Sequence, residues 1–424
     1  MKTKQVSLAI LASMTLFACS NNEDVNVPSS DNAPKTVVMK LEGLSGSSRS
    51  TDPTTTENKV SVHDIAVIFY ANGGAIYQAE KITVGTADWT TITTTGKTYQ
   101  DVDASVNKVM VIGNYGALST NTEGAVPSDA ASLANTQASE LLGKQLSLKS
   151  QNQSGTEKID GTDGTTSTKA EITLFGTDVL ERVGENYQAE VTITPIVSRI
   201  EVKSVSCTFE DPIEGVGVEK SATVTVNGIG MFDYYNTMTL DGTNVTNYMA
   251  DGDQILLPGD AEATSGQYKL FETSEDWGWA YDATSTGYNN VLKDESLTGS
   301  PIEMTPTASG KATFAYNFFP VQSTTTINGT PSTLTDQVLA NVVLSVKVEG
   351  DDDAATKDHF ITTNFRKQNK ETVITPEPGK IYQFDYAVST NNIRENEEWG
   401  QDGITAVVKV TVASWSIVPV DPSF

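Results

Sequence analysis

Lys108-Val109-Met110-Val111-Ile112 and Val408-Lys409-Val410-Thr411-Val412 decide the fold. The first runs apolar without a break after its lysine, as a strand covered on both faces does. The second alternates, so a strand over these residues has one apolar face and one polar face. Similar runs rich in β-branched residues recur along the chain: Val37–Leu41, Val60–Tyr70, Ala170–Phe175, Tyr187–Thr194, Arg199–Thr208, Ala222–Ile229, Ala312–Phe319, Val338–Val348, Ile381–Val388 and Ala406–Ile417. Clusters of Gly, Asn, Asp, Thr and Ser separate them. Strands at this spacing with turn signals between them predict an all-β chain of β-sandwich type. One helix is expected, N-capped by Ser128 or Asp129, carrying Leu133, Leu141 and Leu142 and stopped by Gly143. The stretch Ser147–Lys169 is low in complexity and reads as an exposed loop. Pro195 cannot donate a ladder hydrogen bond, so Thr194-Pro195-Ile196 marks a seam or a strand start. It separates an N-terminal domain of about 160 residues from a C-terminal one of about 230.

The 424 residues are enough for two or three cores, and 38% hydrophobic with 8% aromatic residues argues against wholesale disorder. The formal net charge of −26 repels phosphate backbones and anionic headgroups, so nucleic acid is not an expected partner.

Lys2 and Lys4 precede an apolar stretch from Val6 to Phe17, too short for a comfortable membrane span, and the run ends Leu16-Phe17-Ala18-Cys19. This is the pattern of a signal peptide with a lipobox over residues 1–19, in which Cys19 receives the lipid. The alternative is an ordinary secretory signal that happens to end in cysteine. A polar tether follows, Ser20 to Pro34. Only Cys207 remains besides Cys19, so once Cys19 is acylated no intramolecular disulfide can form.

Catalytic chemistry is not written in the chain. His63 and His359 lie far apart, and neither is near Cys207 in sequence. No nucleophile elbow, zinc-protease motif or P-loop occurs. Neither a cofactor nor a metal is expected. The acidic clusters Asp160-Gly-Thr-Asp163-Gly and Glu349-Gly-Asp351-Asp352-Asp353 lack the ligand spacing of an EF-hand and read as solvated loops. Trp277, Trp279 and Tyr281 either stack on sugars, as a surface glycan-binding lipoprotein requires, or cover a sheet edge or seam.

Several segments, in order, resemble the fimbrillins, shaft subunits of the type V pili of Gram-negative anaerobes. After the lipobox come the first strand and a Gly/Ser loop with a lone arginine, Gly46-Ser-Ser-Arg49-Ser50. Lys108–Tyr115 is similar to the family's central strand ending in Gly-Asn. Ile172–Gly176, Val197-Ser-Arg199-Ile-Glu-Val202 and Asn227–Asn236 resemble its later strands, the second of these its domain-joining strand. Phe318-Phe-Pro320, Gly379–Asp385 and Val410–Trp415 complete the series.

The resemblance implies two transthyretin-like β-sandwiches in tandem, over residues 50–195 and 196–424, after a propeptide at 20–49. It implies a cut between Arg49 and Ser50 by an arginine-specific protease. The displaced strand, with Val37, Met39 and Leu41, then leaves its slot and takes the lipid with it. The segment 406–424 of the next subunit enters as donor strand, with Val408, Val410, Val412 and Trp415 as slot fillers. The partners so implied are further copies of the chain, accessory fimbrial subunits, the outer membrane before maturation, and host or bacterial surface ligands. The chain would pass from outer-membrane lipoprotein precursor to extracellular fimbria. A tip or anchor subunit of the same fimbria is the alternative; Arg49 speaks against an anchor, and a chain stopping nine residues after Trp415 speaks against a tip.

Overall fold

A computed structural model of the chain describes residues 33–42, 44, 59–123, 126–148, 150–153, 158–160, 166–168, 172–208, 222–232, 234–249, 292–293, 302–304, 309–310, 314–322, 324–331, 339–348, 357–363, 375–389, 406–414 and 416–419. The architecture is all-β with a few short helices. Strand β1 (Lys35–Glu42) is followed by β2 (Lys59–Val62), β3 (Asp64–Ala71), β4 (Ile76–Thr83), helix α1 (Ala87–Thr94), β5 (Lys97–Val102), β6 (Val106–Gly113) and helix α2 (Tyr115–Asn121).

Two sheets build the N-terminal layers. One has the order Glu181–Val183, Asn186–Thr192, β1, β5; the other runs Thr194–Pro195, Leu174–Val179, β6, β3, β4. β6 is central, with Val109 to Ile112 all buried, as its unbroken apolar run requires. Phe69 of β3 meets Tyr99 of β5 edge-on, ring centres 4.8 Å apart, so the two sheets share one core. Gly176 of one sheet sits close against Thr192 of the other: a Cβ there would lie 2.3 Å from the Thr192 carbonyl oxygen. Pro195 pairs with Leu174 at the edge of its sheet, where a missing N–H costs no ladder bond.

Downstream, Ser198–Thr208 is flanked by Phe314–Phe318 on one side and by Lys380–Ser389, running parallel, on the other; Ala406–Ser414 pairs next to Lys380–Ser389. A separate sheet joins Ala222–Phe232 to Leu339–Val348 and then Lys357–Thr363. A six-stranded sheet crosses Pro195 in sequence, because Gln145–Ser147 pairs with Tyr234–Thr239.

The helical expectation over Ser128–Leu142 is met in two pieces. Asp129 caps a single 3-10 turn at Ala130–Leu133, and Gly143 ends a helix at Ala138–Leu142. Asn135, at φ 69°, breaks the path between them. Helix α1 lies in a Thr-rich stretch of poor helix propensity. Thr86 caps it by accepting from Trp89 N, and Thr90, Thr91, Thr93 and Thr94 each donate their hydroxyl to a carbonyl one turn back. Trp89 and Ile92 bury its inner face. Ser147–Lys169 departs from the expected exposed loop among its described residues: Ser147 ends a strand, Ser150–Gln153 forms a helical turn, Leu148, Ser150 and Gln151 are buried, and Lys158–Asp160 pairs as a hairpin with Thr166–Thr168.

The segment Gly113-Asn114-Tyr115 closes the central strand. Asn114 is buried at φ 57°, its Oδ1 accepts from His63 N at 2.9 Å, and its Nδ2 donates to the Ile172 carbonyl at 2.8 Å. Asp64 receives Gly116 N at 3.0 Å and pairs with Lys81 at 3.0 Å. One short polar cluster thus joins the ends of three strands. It gives His63 a structural place, through its backbone.

Candidate functional site

β1 occupies a slot between two strands. It runs parallel to Asn186–Thr192, with Val37 opposite Tyr187, Met39 opposite Ala189 and Leu41 opposite Val191. On its other side it is antiparallel to β5, with Val37 opposite Tyr99 and Met39 opposite Lys97. Strict alternation turns Val37, Met39 and Leu41 inward, where they are at most 2% exposed. The neighbours on that face, Tyr99, Ala189 and Val191, are buried too. Burial of three such side chains contributes about 4.5–9 kcal/mol. Without β1 both flanking strands would present an unpaired edge, which sheets avoid.

A charged group fastens the strand at its start. Lys35 Nζ donates to the Val106 carbonyl at 2.5 Å and stands 4.7 Å over the Tyr187 ring. Lys40 pairs with Glu42 at 2.8 Å on the outer face. Helix α1 lies against β1, and the chain leaves it through Gly96 at φ 87°. A Cβ on Gly96 would stand 2.9 Å from Val38 Cγ1, so both backbone angle and space call for glycine.

Beside the slot, Lys97 bridges Glu80 at 2.7 Å and Asp88 at 2.8 Å, tying β5 to β4 and α1. Partial burial works against the charge on Lys97, but its bonds to Asp88 and Glu80 outweigh that and hold its pKa above the ordinary lysine value. Burial raises the Tyr99 phenol well above its usual range, and the Glu80 carboxylate adds to the effect.

The tail strand Ala406–Ser414 lies antiparallel to Lys380–Ser389. Its register sets Val408 opposite Tyr386, Val410 opposite Phe384 and Val412 opposite Tyr382. Those three aromatic side chains are buried; the valine side chains lie outside the described residues. Beyond it Ser416–Pro419 pairs in parallel with β2. Cys19, Arg49, Ser50, Trp415, Trp277, Trp279, Tyr281 and the cluster Glu349–Asp353 also lie outside the described residues, as do the side chains of Cys207 and His359.

A buried polar network was not foreseen from the sequence. Arg199 and Glu201 are both fully buried, and they face each other from alternate positions of one strand at 3.4 Å. Arg199 Nε donates to Asn317 Oδ1 at 3.2 Å, and Gln383 Nε2 donates to Glu201 Oε2 at 2.9 Å. Asn317 Nδ2 donates to the Gln151 carbonyl, and the Gln151 side chain bonds Thr173 through both its amide atoms. The network therefore links segments on both sides of Pro195. The only sequence signal was a charged pair two apart inside a strand otherwise rich in Ile and Val.

Among the described residues no group of three or more His, Cys, Asp or Glu side chains could hold a metal ion, and no helix is long and apolar enough to cross a membrane.

No family model matches the chain, and no curated protein matches it in sequence. Among solved structures it is similar to a Bacteroides eggerthii protein described as a cell adhesion protein, with 15% identity, a TM-score of 0.48, and 92% of this chain and 98% of that one covered. It is also similar to a fimbrilin of Porphyromonas gingivalis, with 8% identity, a TM-score of 0.41, and 92% and 99% covered. A tip fimbrial protein of the same organism, truncated at its C terminus, matches with 10% identity, a TM-score of 0.33, and 90% and 99% covered.

Proposed function

We propose that this chain is the precursor of a structural subunit of a cell-surface fimbria, polymerising by donor-strand exchange after proteolysis and supporting adhesion. It is not an enzyme on this reading. The observation that carries it is β1: a strand whose inward side chains Val37, Met39 and Leu41 are buried in the core, and which precedes Arg49 in the chain. An arginine-specific protease cutting between Arg49 and Ser50 severs β1 from the rest of the chain. The strand is then held by its ladders, its three inward side chains, the Lys35 contacts and its packing against α1. Its departure opens an apolar slot with two unpaired edges, which the tail of a second copy fills.

On this reading Cys19 carries the lipid that holds the precursor in the outer membrane, and loss of residues 20–49 releases the mature subunit into the fibre. The two halves meeting at Pro195 are its N- and C-terminal sandwiches. The tail must leave Lys380–Ser389 to act as donor. The exchange trades one ladder for another of similar length, with Val408, Val410 and Val412 taking the places that Val37, Met39 and Leu41 leave.

Arg49→Ala tests the proposal. The variant precursor should fold, reach the cell surface and remain monomeric under conditions in which the wild type forms detergent-resistant ladders. Fibres of normal length from this variant would remove Arg49 as the trigger.

A further inference from the structure

Among the described strands, β2 has one partner, and that partner comes from the opposite end of the sequence. Lys59 pairs with Ser416, Val60 with Ile417, Ser61 with Val418 and Val62 with Pro419, all in parallel. These four pairs form a two-stranded sheet of their own, outside every other sheet described. Isolated parallel pairs of this length are weak, and a parallel pair cannot be closed by a tight turn. What anchors this one is β2 itself: Val60 and Val62 are 2% and 0% exposed, and β2 runs on through His63 into the buried strand β3. The recipient half is thus fixed in the core, and the other half follows directly on the tail strand Ala406–Ser414.

β2 is also the first described strand after Arg49 in the sequence, and Ser416–Pro419 is the last strand described. A chain whose leading and trailing strands pair with each other is closed on itself. If the trailing strand of one copy pairs instead with the leading strand of the next, the same contacts join copies head to tail. A heterologous contact of that kind propagates into a filament. The residue pairs are identical in the two arrangements, so their local energies cancel, and a small bias elsewhere decides between them. Release of β1 supplies such a bias.

We infer that β2 is a docking strand for a second copy of this chain: in the fibre, Lys59–Val62 of each subunit pairs in parallel with Ser416–Pro419 of its neighbour. The contact seen within one chain is then the closed form of a swapped interface, and the tail segment beyond the slot-filling residues has a defined seat. The inference rests on the fibre reading above and adds a register to it.

Paired cysteines test that register. Registered partners on adjacent strands lie about 5 Å apart, within the Cα separation that a disulfide spans. The double variant Ser61→Cys/Val418→Cys is made in the full chain with Cys207→Ala, beside each single-cysteine chain and an off-register pair, Lys59→Cys/Val418→Cys. Oxidised as uncleaved precursor, the in-register pair should link within one chain and stay at monomer mass on a non-reducing gel. Assembled under reducing conditions and then oxidised, it should give a ladder at multiples of the subunit mass that collapses on reduction. The off-register and single-cysteine chains should give neither product. Fibres whose cysteines link only within each chain, or do not link, overturn the inference and leave the fibre reading standing. Should the cysteines themselves block assembly, Lys59→Cys/Ser416→Cys is read by the same criteria. A wild-type chain that forms no fibres after the cut refutes the fibre reading and this inference together.

Discussion

Met39→Ala separates a strand that leaves from a strand that stays. Met39 is fully buried in β1, opposite Ala189 on one side and Lys97 on the other. Truncating such a side chain costs about 2–5 kcal/mol, from lost transfer energy plus the cavity left behind. Against a total stability of about 5–15 kcal/mol, the uncleaved precursor should still fold. With an m-value of about 3 kcal/mol per molar, its urea midpoint falls by roughly 0.7–1.7 M, read by circular dichroism. In a fibre from which β1 has gone, the same substitution touches nothing. Fibres assembled from Met39→Ala precursor should therefore dissociate at the wild-type denaturant concentration, and assembly after the cut should be faster, because the departing strand is held less tightly. If the variant fibre loses as much stability as the variant precursor, β1 is a permanent core strand and the exchange reasoning fails.

Three further outcomes follow from the described side chains. Arg199→Met strands the Glu201 carboxylate in the core and should cost about 3–5 kcal/mol, whereas Arg199→Met/Glu201→Leu should recover most of that loss in thermal unfolding; a double variant no better than the single contradicts this reading of the network. Gly176→Ala drives a methyl into the Thr192 carbonyl and should destabilise the N-terminal layers by about 1–3 kcal/mol, measured by urea titration. Tyr99, Tyr115 and Tyr382 all have phenol pKa values raised by burial, and that of Lys97 is also raised. The unfolded chain loses these protons first, so stability is complete below the ordinary phenol value of 10.0 and falls as pH rises above it. Each raised group adds a slope of up to about 1.4 kcal/mol per pH unit there, and Tyr99→Phe should remove one such share.

The all-β fold was legible because strands write themselves in β-branched periodicity. Val37–Leu41, Lys108–Gly113 and Arg199–Thr208 each lie in a described strand. β4 (Ile76–Thr83) and β5 (Lys97–Val102) escaped notice because they lie at sheet edges, where polar residues break the apolar run: half of β4 and most of β5 are polar. Helix α1 was hidden by its threonines, whose hydroxyls are satisfied within the helix in a way that no propensity scale registers. The inward face of β1 could be read directly from Val37, Met39 and Leu41. Its fastening and the ion pairs beside the slot could not, since Lys35 reaches Val106 and Tyr187, and Lys97 of β5 reaches Glu80 and Asp88, only through the fold. The Arg199–Glu201 network was invisible for the same reason: its partners Asn317 and Gln383 are neighbours in register, not in sequence.

The N-terminus of the protein as it stands in surface-assembled fibres tests the central claim most directly. Fibres sheared from cells and analysed by intact mass and terminal peptide mapping should begin at Ser50, with no acyl group and no peptide from Lys35–Glu42. Fibres whose subunits begin at an acylated Cys19, or retain β1, would contradict the account.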